Sequence, residues 1–449
     1  MRYLNCHLTE NSQLTVDLII KGGNIVLHDT IVEGAIAIDN GKIQKIGKES
    51  TLTQAEKTIN LQGELVFPGI IDIHVHLRDL ELSYKEDFTT GTQAAIVGGV
   101  SALLDMPNTK PLTNSLISLK HKKEVAKKKL LCDAGFYSLL PNNLQEIDEI
   151  INEGVIGFKI FPHQPYTNLP LTLMNLKNVF SQINGRVPLA IHPDLSTNGG
   201  SDITKFLTKY SSHLEAKAIK WIGSILTKID RLHICHVSAR EALLEVYRLR
   251  EEGFNVTCEV TPHHLLMTQE TLFSKQGIAK MLPPLRTITD IQTMQTALTQ
   301  EKINAIATDH APHTLNEKSG PFSQVPSGIP GLETLLPIMV DYALKKNFPL
   351  YKLGRLLSEN PAKIYGIPNK GGLVPGYDAD IVIIDPTKTR HIDVSQFWSK
   401  AKFSPFEGYV VKGIPVMTII RGIVAVINDE IQISPGFGKL LTGSKREYH

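Results

Sequence analysis

Four histidines, one lysine and one aspartate draw attention by their types and positions: His74, His76, Lys159, His192, His236 and Asp309. His74 and His76 stand at i, i+2 in IDIHVH, so on a strand both side chains point to one face. Imidazole is the commonest zinc donor among side chains, and carboxylate oxygen binds as well. Lys159, in GFKIF, repels a cation as long as it is an ammonium. As a neutral amine it can add CO2, and the resulting carbamate has two oxygens with which to bridge two metals. Two Zn2+ set against that carbamate, Asp309 and a bridging hydroxide leave one net positive charge, which suits an anionic substrate. Such a pair lowers the pKa of a bound water and polarises a carbonyl at once, which is hydrolytic chemistry. Each residue alone has a plainer reading. An HxH pair arises by chance, a strand lysine snorkels or pairs with a carboxylate, and an aspartate after a strand caps a helix. Their joint placement is what argues for a site.

That placement depends on eight candidate strands: 71–76, 100–106, 131–138, 156–161, 187–192, 231–237, 254–260 and 303–308. Helical patterns lie between most of them. In EALLEVYRLREEG, Ala242, Val246 and Leu249 recur at i, i+4, i+7, and Gly253 sits where a C-cap belongs. The alternation predicts an α/β chain with a (β/α)8 TIM-like barrel, whose active sites lie at the C-terminal strand ends. His74 and His76 fall on the first strand and Lys159 on the fourth; His192 ends the fifth, His236 ends the sixth, and Asp309 follows the eighth. A doubly wound sheet is the alternative. Both chain ends read as short β-branched strands between Gly, Asn and Asp turns, as in VDLIIKGG and GYVVKGIPVMTIIRG, so they are expected to join in one small β-sandwich domain. The expected division is 1–65 and 366–449 for that domain and 66–365 for the barrel.

The 449 residues are 42% hydrophobic and 20% charged, with a net charge of +2. That supports a large core and gives no global field toward nucleic acid or an anionic membrane. No apolar run approaches a membrane span, and MRYLNCHLTENSQ lacks the apolar core of a signal peptide. The four cysteines show no CxxC spacing. These features predict a reduced, cytoplasmic protein with no nucleic-acid or membrane partner; the small-molecule substrate expected of it follows from the hydrolytic site. The basic stretch KHKKEVAKKK (120–129) is expected to be a solvated face. His233, three residues before His236, is expected to face away from it and pack.

FPGIIDIHVHLRD, GFKIF, the strand-end histidines and ATDHAPH together resemble the amidohydrolase superfamily, and within it the dihydroorotases, over nearly the whole chain. The resemblance implies a binuclear zinc centre. His74, His76 and Asp309 would bind one zinc, His192 and His236 the other, and carboxylated Lys159 would bridge. It also implies substrate contacts. Arg78 in HVHLR and Asn108 in DMPNTKP would hold a carboxylate, with His313 in DHAPHT beside them. Ser327 and Gly328 in SGIPGLET would meet a pyrimidine ring through the backbone, and Thr167 in PHQPYTN would close as a lid. Asp309 would be the catalytic base and then acid. The implied reaction interconverts L-dihydroorotate and N-carbamoyl-L-aspartate in pyrimidine biosynthesis. A homo-oligomer, a dimer first, is implied as well, and an aspartate transcarbamoylase partner is compatible.

Two departures stand out: HLRDLELS replaces the usual HLREPG, and KMLPPLR has Leu282 where an asparagine is frequent. His263 and His264 lie outside the metal set and are expected to support it or pack. One alternative is the same chemistry on allantoin, hydantoin or a dihydropyrimidine. Arg78 and Asn108 argue against it, because those rings carry no carboxylate. The other is a non-catalytic structural homologue, against which the complete ligand set argues.

Overall fold

A computed structural model describes residues 15–52, 54–162, 172–196 and 199–443. Five strands come from the N-terminal end: β1 (Val16–Val26), β2 (Ile31–Asp39), β3 (Lys42–Gly47), β4 (Ala55–Asn60) and β5 (Leu65–Pro68). Eight follow: β6 (Ile70–Val75), β7 (Val100–Asp105), β8 (Asp133–Leu139), β9 (Gly157–Ile160), β10 (Leu189–Ile191), β11 (Arg231–Ile234), β12 (Asn255–Val260) and β13 (Ala305–Ile306). The last four are β14 (Ile381–His391), β15 (Val410–Ile420), β16 (Ile423–Ile427) and β17 (Glu430–Ile431).

The middle eight form one parallel sheet in the order β6 to β13. It curls until its two edges meet. Val75 bridges His310, the His76 N–H donates to the His310 carbonyl at 2.7 Å, and the Thr308 hydroxyl donates to Asp72 at 2.5 Å. This is the (β/α)8 barrel that the strand–helix alternation predicts. Strands β6 to β9 are buried at every position, which is why they lack the period-two alternation of a half-exposed strand. The helix Arg240–Glu251 buries Ala242, Leu243, Val246 and Leu249 against the barrel, and Gly253 (φ +82) turns the chain out of it. A helix over Asn360–Tyr365 covers the mouth where the strands begin. Asn360 Nδ2 donates to the Asn304 carbonyl at 2.8 Å, and the Arg231 guanidinium bonds the Ile364 carbonyl.

The chain ends meet in one mixed sheet of nine strands, ordered β17-β16-β15-β14-β5-β1-β2-β3, with β4 beside β1. The junction is antiparallel pairing of β14 with β5, Ile383 opposite Val66. Leu18, Ile20, Ile36, Ile38, Ile381, Ile383 and Ile419 gather in one apolar cluster over it, as the period-two patterns require. Lys370 ties this sheet to the barrel: its Nζ lies 2.8 Å from Asp133 of β8, 2.9 Å from Asp378 and 2.6 Å from Asp380.

The basic stretch departs from expectation. Its helix, Leu116–Lys127, exposes Lys120 and Lys127 but buries Lys122 and Lys123. Lys122 Nζ donates to the Met106 carbonyl at 2.8 Å and pairs with Asp105 at 2.6 Å, while Lys123 pairs with Glu153 at 2.8 Å. Buried ammonium groups need such partners, and a charge count along the sequence does not show them.

Candidate metal centre and substrate cleft

The C-terminal strand ends enclose a cleft of about 310 Å³. Its walls are His74, His76, Arg78, Asn108, Phe161, His192, His236, Leu282, Asp309, Ala311, His313, Ser327 and Gly328. Every expected site residue is among them except Lys159, buried on β9, and Thr167, which lies outside the described residues.

His74 Nε2 and His76 Nε2 converge on Asp309 Oδ1, at 3.3 and 3.2 Å. Ligand atoms of these three residues lie within 4.8 Å of one another. His192 Nδ1 faces His236 Nε2 at 2.9 Å, and the His74 and His236 rings stand 5.1 Å apart, so the two groups adjoin. Lys159 Nζ donates to Cys235 Sγ at 2.7 Å. Three wall residues hold left-handed backbone: Arg78 (φ +60), His236 (φ +33) and Asp309 (φ +49). For non-glycine residues this costs about 1–3 kcal/mol each, a strain that collects at functional sites.

The electrostatics favour ligation. Burial lowers the pKa of His74, reinforced by Lys159. Burial and Arg78 hold His76 well below the usual imidazole range, and burial and His192 do the same to His236. Neutral imidazole is the form that binds metal. The tautomers agree: His74 Nδ1–H donates to Glu259 and His76 Nδ1–H to Asn108 Oδ1 at 2.6 Å, which leaves both Nε2 lone pairs aimed at the cluster. His74, His76 and Asp309 fit a divalent ion.

The same cleft carries a cationic stretch at Arg78. The Arg78 Nε–H donates to the Pro312 carbonyl at 3.3 Å, and its Nη2 lies 3.5 Å from His313. Lys85 Nζ donates to His313 Nδ1 at 3.0 Å, so the imidazole proton sits on Nε2 and is donated to the Ser327 carbonyl at 3.1 Å. Burial, then Arg78 and Lys85, push His313 down to about 2, so it stays neutral.

A family model described as the amidohydrolase family matches residues 65–424. The chain belongs to the amidohydrolase family. The dihydroorotase of Methanosphaera stadtmanae is 36% identical over 88% of this chain and 94% of its own. That of Methanosarcina acetivorans is 33% identical over 95% and 96%. The L-hydantoinase of Paenarthrobacter aurescens is 30% identical over 96% and 99%. Among solved structures, the L-hydantoinase (dihydropyrimidinase) from Arthrobacter aurescens superposes with a TM-score of 0.90 at 30% identity, covering 95% of this chain and 100% of that one. This amidohydrolase is a hydrolase of cyclic amide C–N bonds.

Several residues that shape the cleft of this amidohydrolase escape a reading of its sequence. Glu259 on β12 takes His74 Nδ1–H on one oxygen and His233 Nε2 on the other at 3.0 Å, and also accepts the His236 N–H at 3.2 Å. Burial raises its carboxyl, but His74 and His233 more than offset that and hold it ionised. His233 therefore does more than pack. Its Nδ1 also meets the Thr257 hydroxyl at 2.9 Å. The signal for Glu259 is a lone charge in the buried run of CEVTP. Lys85 and Cys235 carried no signal beyond their position. His263 and His264 lie on the helix Pro262–Leu266 and do not line the cleft; His264 bonds Thr261 at 2.8 Å and the Pro283 carbonyl at 3.1 Å. Glu259→Gln must point an amide N–H at one of these donors. It is expected to weaken metal retention about 10- to 100-fold in chelator competition; an unchanged affinity would refute the orienting role.

Proposed function

We propose that this amidohydrolase interconverts L-dihydroorotate and N-carbamoyl-L-aspartate, the cyclisation step of pyrimidine biosynthesis, with residues 66–365 as its catalytic domain. The observation that carries the reading is Arg78, a buried guanidinium that lines the same cleft as the histidine–aspartate cluster. A carboxylate on the ring would accept a two-pronged, charge-assisted hydrogen bond from it, which an uncharged ring cannot do. His74, His76 and Asp309 would hold one Zn2+, His192 and His236 a second, and carboxylated Lys159 would lie between them. Bound there, the ions would acidify a water and polarise a carbonyl.

The chain's own residues do the rest. Arg78 grips the carboxylate of the substrate. Asn108 and His313 flank it, with the Asn108 oxygen already committed to His76. The backbone at Ser327 and Gly328 meets the ring, and this positioning can supply several kcal/mol. Asp309 lines the cleft beside His74 and His76. One of its carboxylate oxygens takes a proton from the attacking water and returns it to the ring nitrogen as the C–N bond breaks; ring closure runs the same transfers backwards.

The test is ring closure of N-carbamoyl-L-aspartate by zinc-loaded protein in bicarbonate buffer, with hydantoin and allantoin hydrolysis alongside. Arg78→Met is expected to cost dihydroorotate turnover on the order of 10²-fold in kcat/KM, about 3 kcal/mol. It is expected to change hydantoin turnover little. Equal losses on both rings would overturn the role of Arg78. A second reading, hydantoin hydrolysis, has one observation in its favour: Leu282 in the cleft wall makes part of it apolar. Activity confined to uncharged rings would establish that reading instead. A dimer in the cytoplasm, compatible with an aspartate transcarbamoylase partner, completes the proposal. Light scattering on the purified protein checks the dimer. Among the described residues no helix is long and apolar enough to cross a membrane.

A further inference from the structure

Lys318 ends the short helix Leu315–Lys318 and is buried. No carboxylate pairs with it among the described residues; its neighbour Glu317 is engaged by Lys85 at 2.8 Å instead. All three directions from its Nζ end on backbone carbonyls: Lys280 at 3.0 Å, Pro326 at 3.0 Å and Gly328 at 2.9 Å. The Phe403 ring, 5.4 Å from Nζ to its centroid, closes the remaining side. Burying a cation without a counter-ion is costly, so an apolar side chain would be the cheaper filler unless the three bonds serve a purpose. Burial and the nearby Lys280 ammonium bring Lys318 down to about 7. With three acceptors around it, however, an amine lone pair would face a carbonyl, so the site accepts the ammonium. The three carbonyls belong to two segments of the cleft wall. One runs from Lys280 to Leu282, the other from Pro326 to Gly328. The Gly328 N–H also donates to the Lys280 carbonyl at 3.0 Å, so the segments touch. Gly328 has φ +137, and a Cβ there would sit 2.5 Å from the Ala311 carbonyl and 3.2 Å from His313, so its backbone has no slack.

We infer that Lys318 is a positioning residue, whose ammonium fastens the 280–282 and 326–328 segments into a single wall against which the substrate ring is held. The inference rests on the proposed reading of the cleft as a cyclic-amide site. The fastening itself does not, and the two are read separately. Lys318→Met keeps the bulk and removes all three donors. In hydrogen exchange by mass spectrometry, both segments are expected to exchange at least about 10-fold faster than in the wild type. The 74–78 segment and zinc content should stay at wild-type levels. KM for the ring substrate is expected to rise about 10-fold, with kcat changed by less than about 3-fold, because a loosened wall weakens ground-state and transition-state binding alike. Lys318→Gln, with two donors on a shorter arm, is expected to fall between and serves if the methionine variant fails to fold. Wild-type exchange in both segments, or loosening of one alone, would overturn the inference. So would a loss confined to kcat. If the wild type turns over no cyclic amide while both segments loosen in the variant, the proposed function fails and the fastening stands.

Discussion

Lys159→Ala is expected to lose on the order of 10³-fold or more in kcat/KM on any cyclic amide the protein accepts, equivalent to about 4 kcal/mol or more. The same variant should retain less than the wild type's zinc after dialysis. The argument begins from a mismatch. Lys159 is 1% exposed, and its Nζ bonds Cys235 Sγ. Burial pushes that thiol up to about 12, so it is neutral and a weak acceptor. A neutral thiol and the Phe161 ring, 5.2 Å from Nζ to its centroid, are weak compensation for a buried ammonium. Its charge also reaches His74, His76, His236 and Asp309, four groups expected to face a cation. As a carbamate the same side chain becomes an anion in the middle of that set, and the mismatch turns into complementarity. Isotopically labelled bicarbonate should therefore give a carbamate resonance in the zinc-loaded wild type that is absent from Lys159→Ala. A small carboxylate such as acetate should restore part of the activity by standing in for the missing oxygens. Full activity and two bound zinc ions in Lys159→Ala would remove the lysine from the centre altogether.

Much of this site was legible because the barrel converts sequence order into position. Once the eight strands are placed, the residues at their ends are neighbours by topology, so His74, His192, His236 and Asp309 could be grouped although they are far apart in the chain. The end sheet was legible for a different reason: the period-two runs at both ends need a common partner, and β14 with β5 supplies it. What stayed hidden are contacts between residues whose pairing no periodicity announces. Glu259 lies 185 residues from His74, and nothing in either segment names the other. Lys122 belongs to a stretch that counts as surface charge until Asp105 is found beneath it. Lys85 sits in the loop that departs from the dihydroorotase pattern, and its bond to His313 belongs to this chain's own version of that loop. Lys318 reads as one more helix-end lysine, because its three acceptors are backbone carbonyls that any sequence would provide.

Lys370→Met is expected to destabilise the fold by about 3–5 kcal/mol while leaving kcat and KM near wild type. The lysine is distant from the cleft wall, and its substitution keeps the side-chain bulk. It removes the cation from among three carboxylates, Asp133, Asp378 and Asp380, whose oxygens lie within 4.8 Å of one another. Arg421 still bonds Asp133 and Lys42 still pairs with Asp378, but Asp380 keeps only its backbone partner, the Arg421 N–H at 2.9 Å. Two or three like charges in a buried site then repel each other. The pH dependence follows from the direction of the shift. Burial would lower the pKa of Lys370, but Asp380 and Asp133 outweigh it and raise it above its ordinary 10.5. The stability it contributes is therefore fully present below 10.5 and lost as pH rises through the higher folded value. In the variant the carboxylates themselves become the problem. The urea-midpoint gap between variant and wild type should be wide at pH 7 and narrow on acidification, as the crowded carboxyls take up protons. Millimolar calcium should narrow it too, because three converging carboxylates without their lysine are a hard-cation site. A variant as stable as the wild type at pH 7 would show that the two arginine and lysine neighbours suffice. In that case the junction between barrel and end sheet rests on the β14–β5 pairing and its apolar cluster rather than on this ammonium.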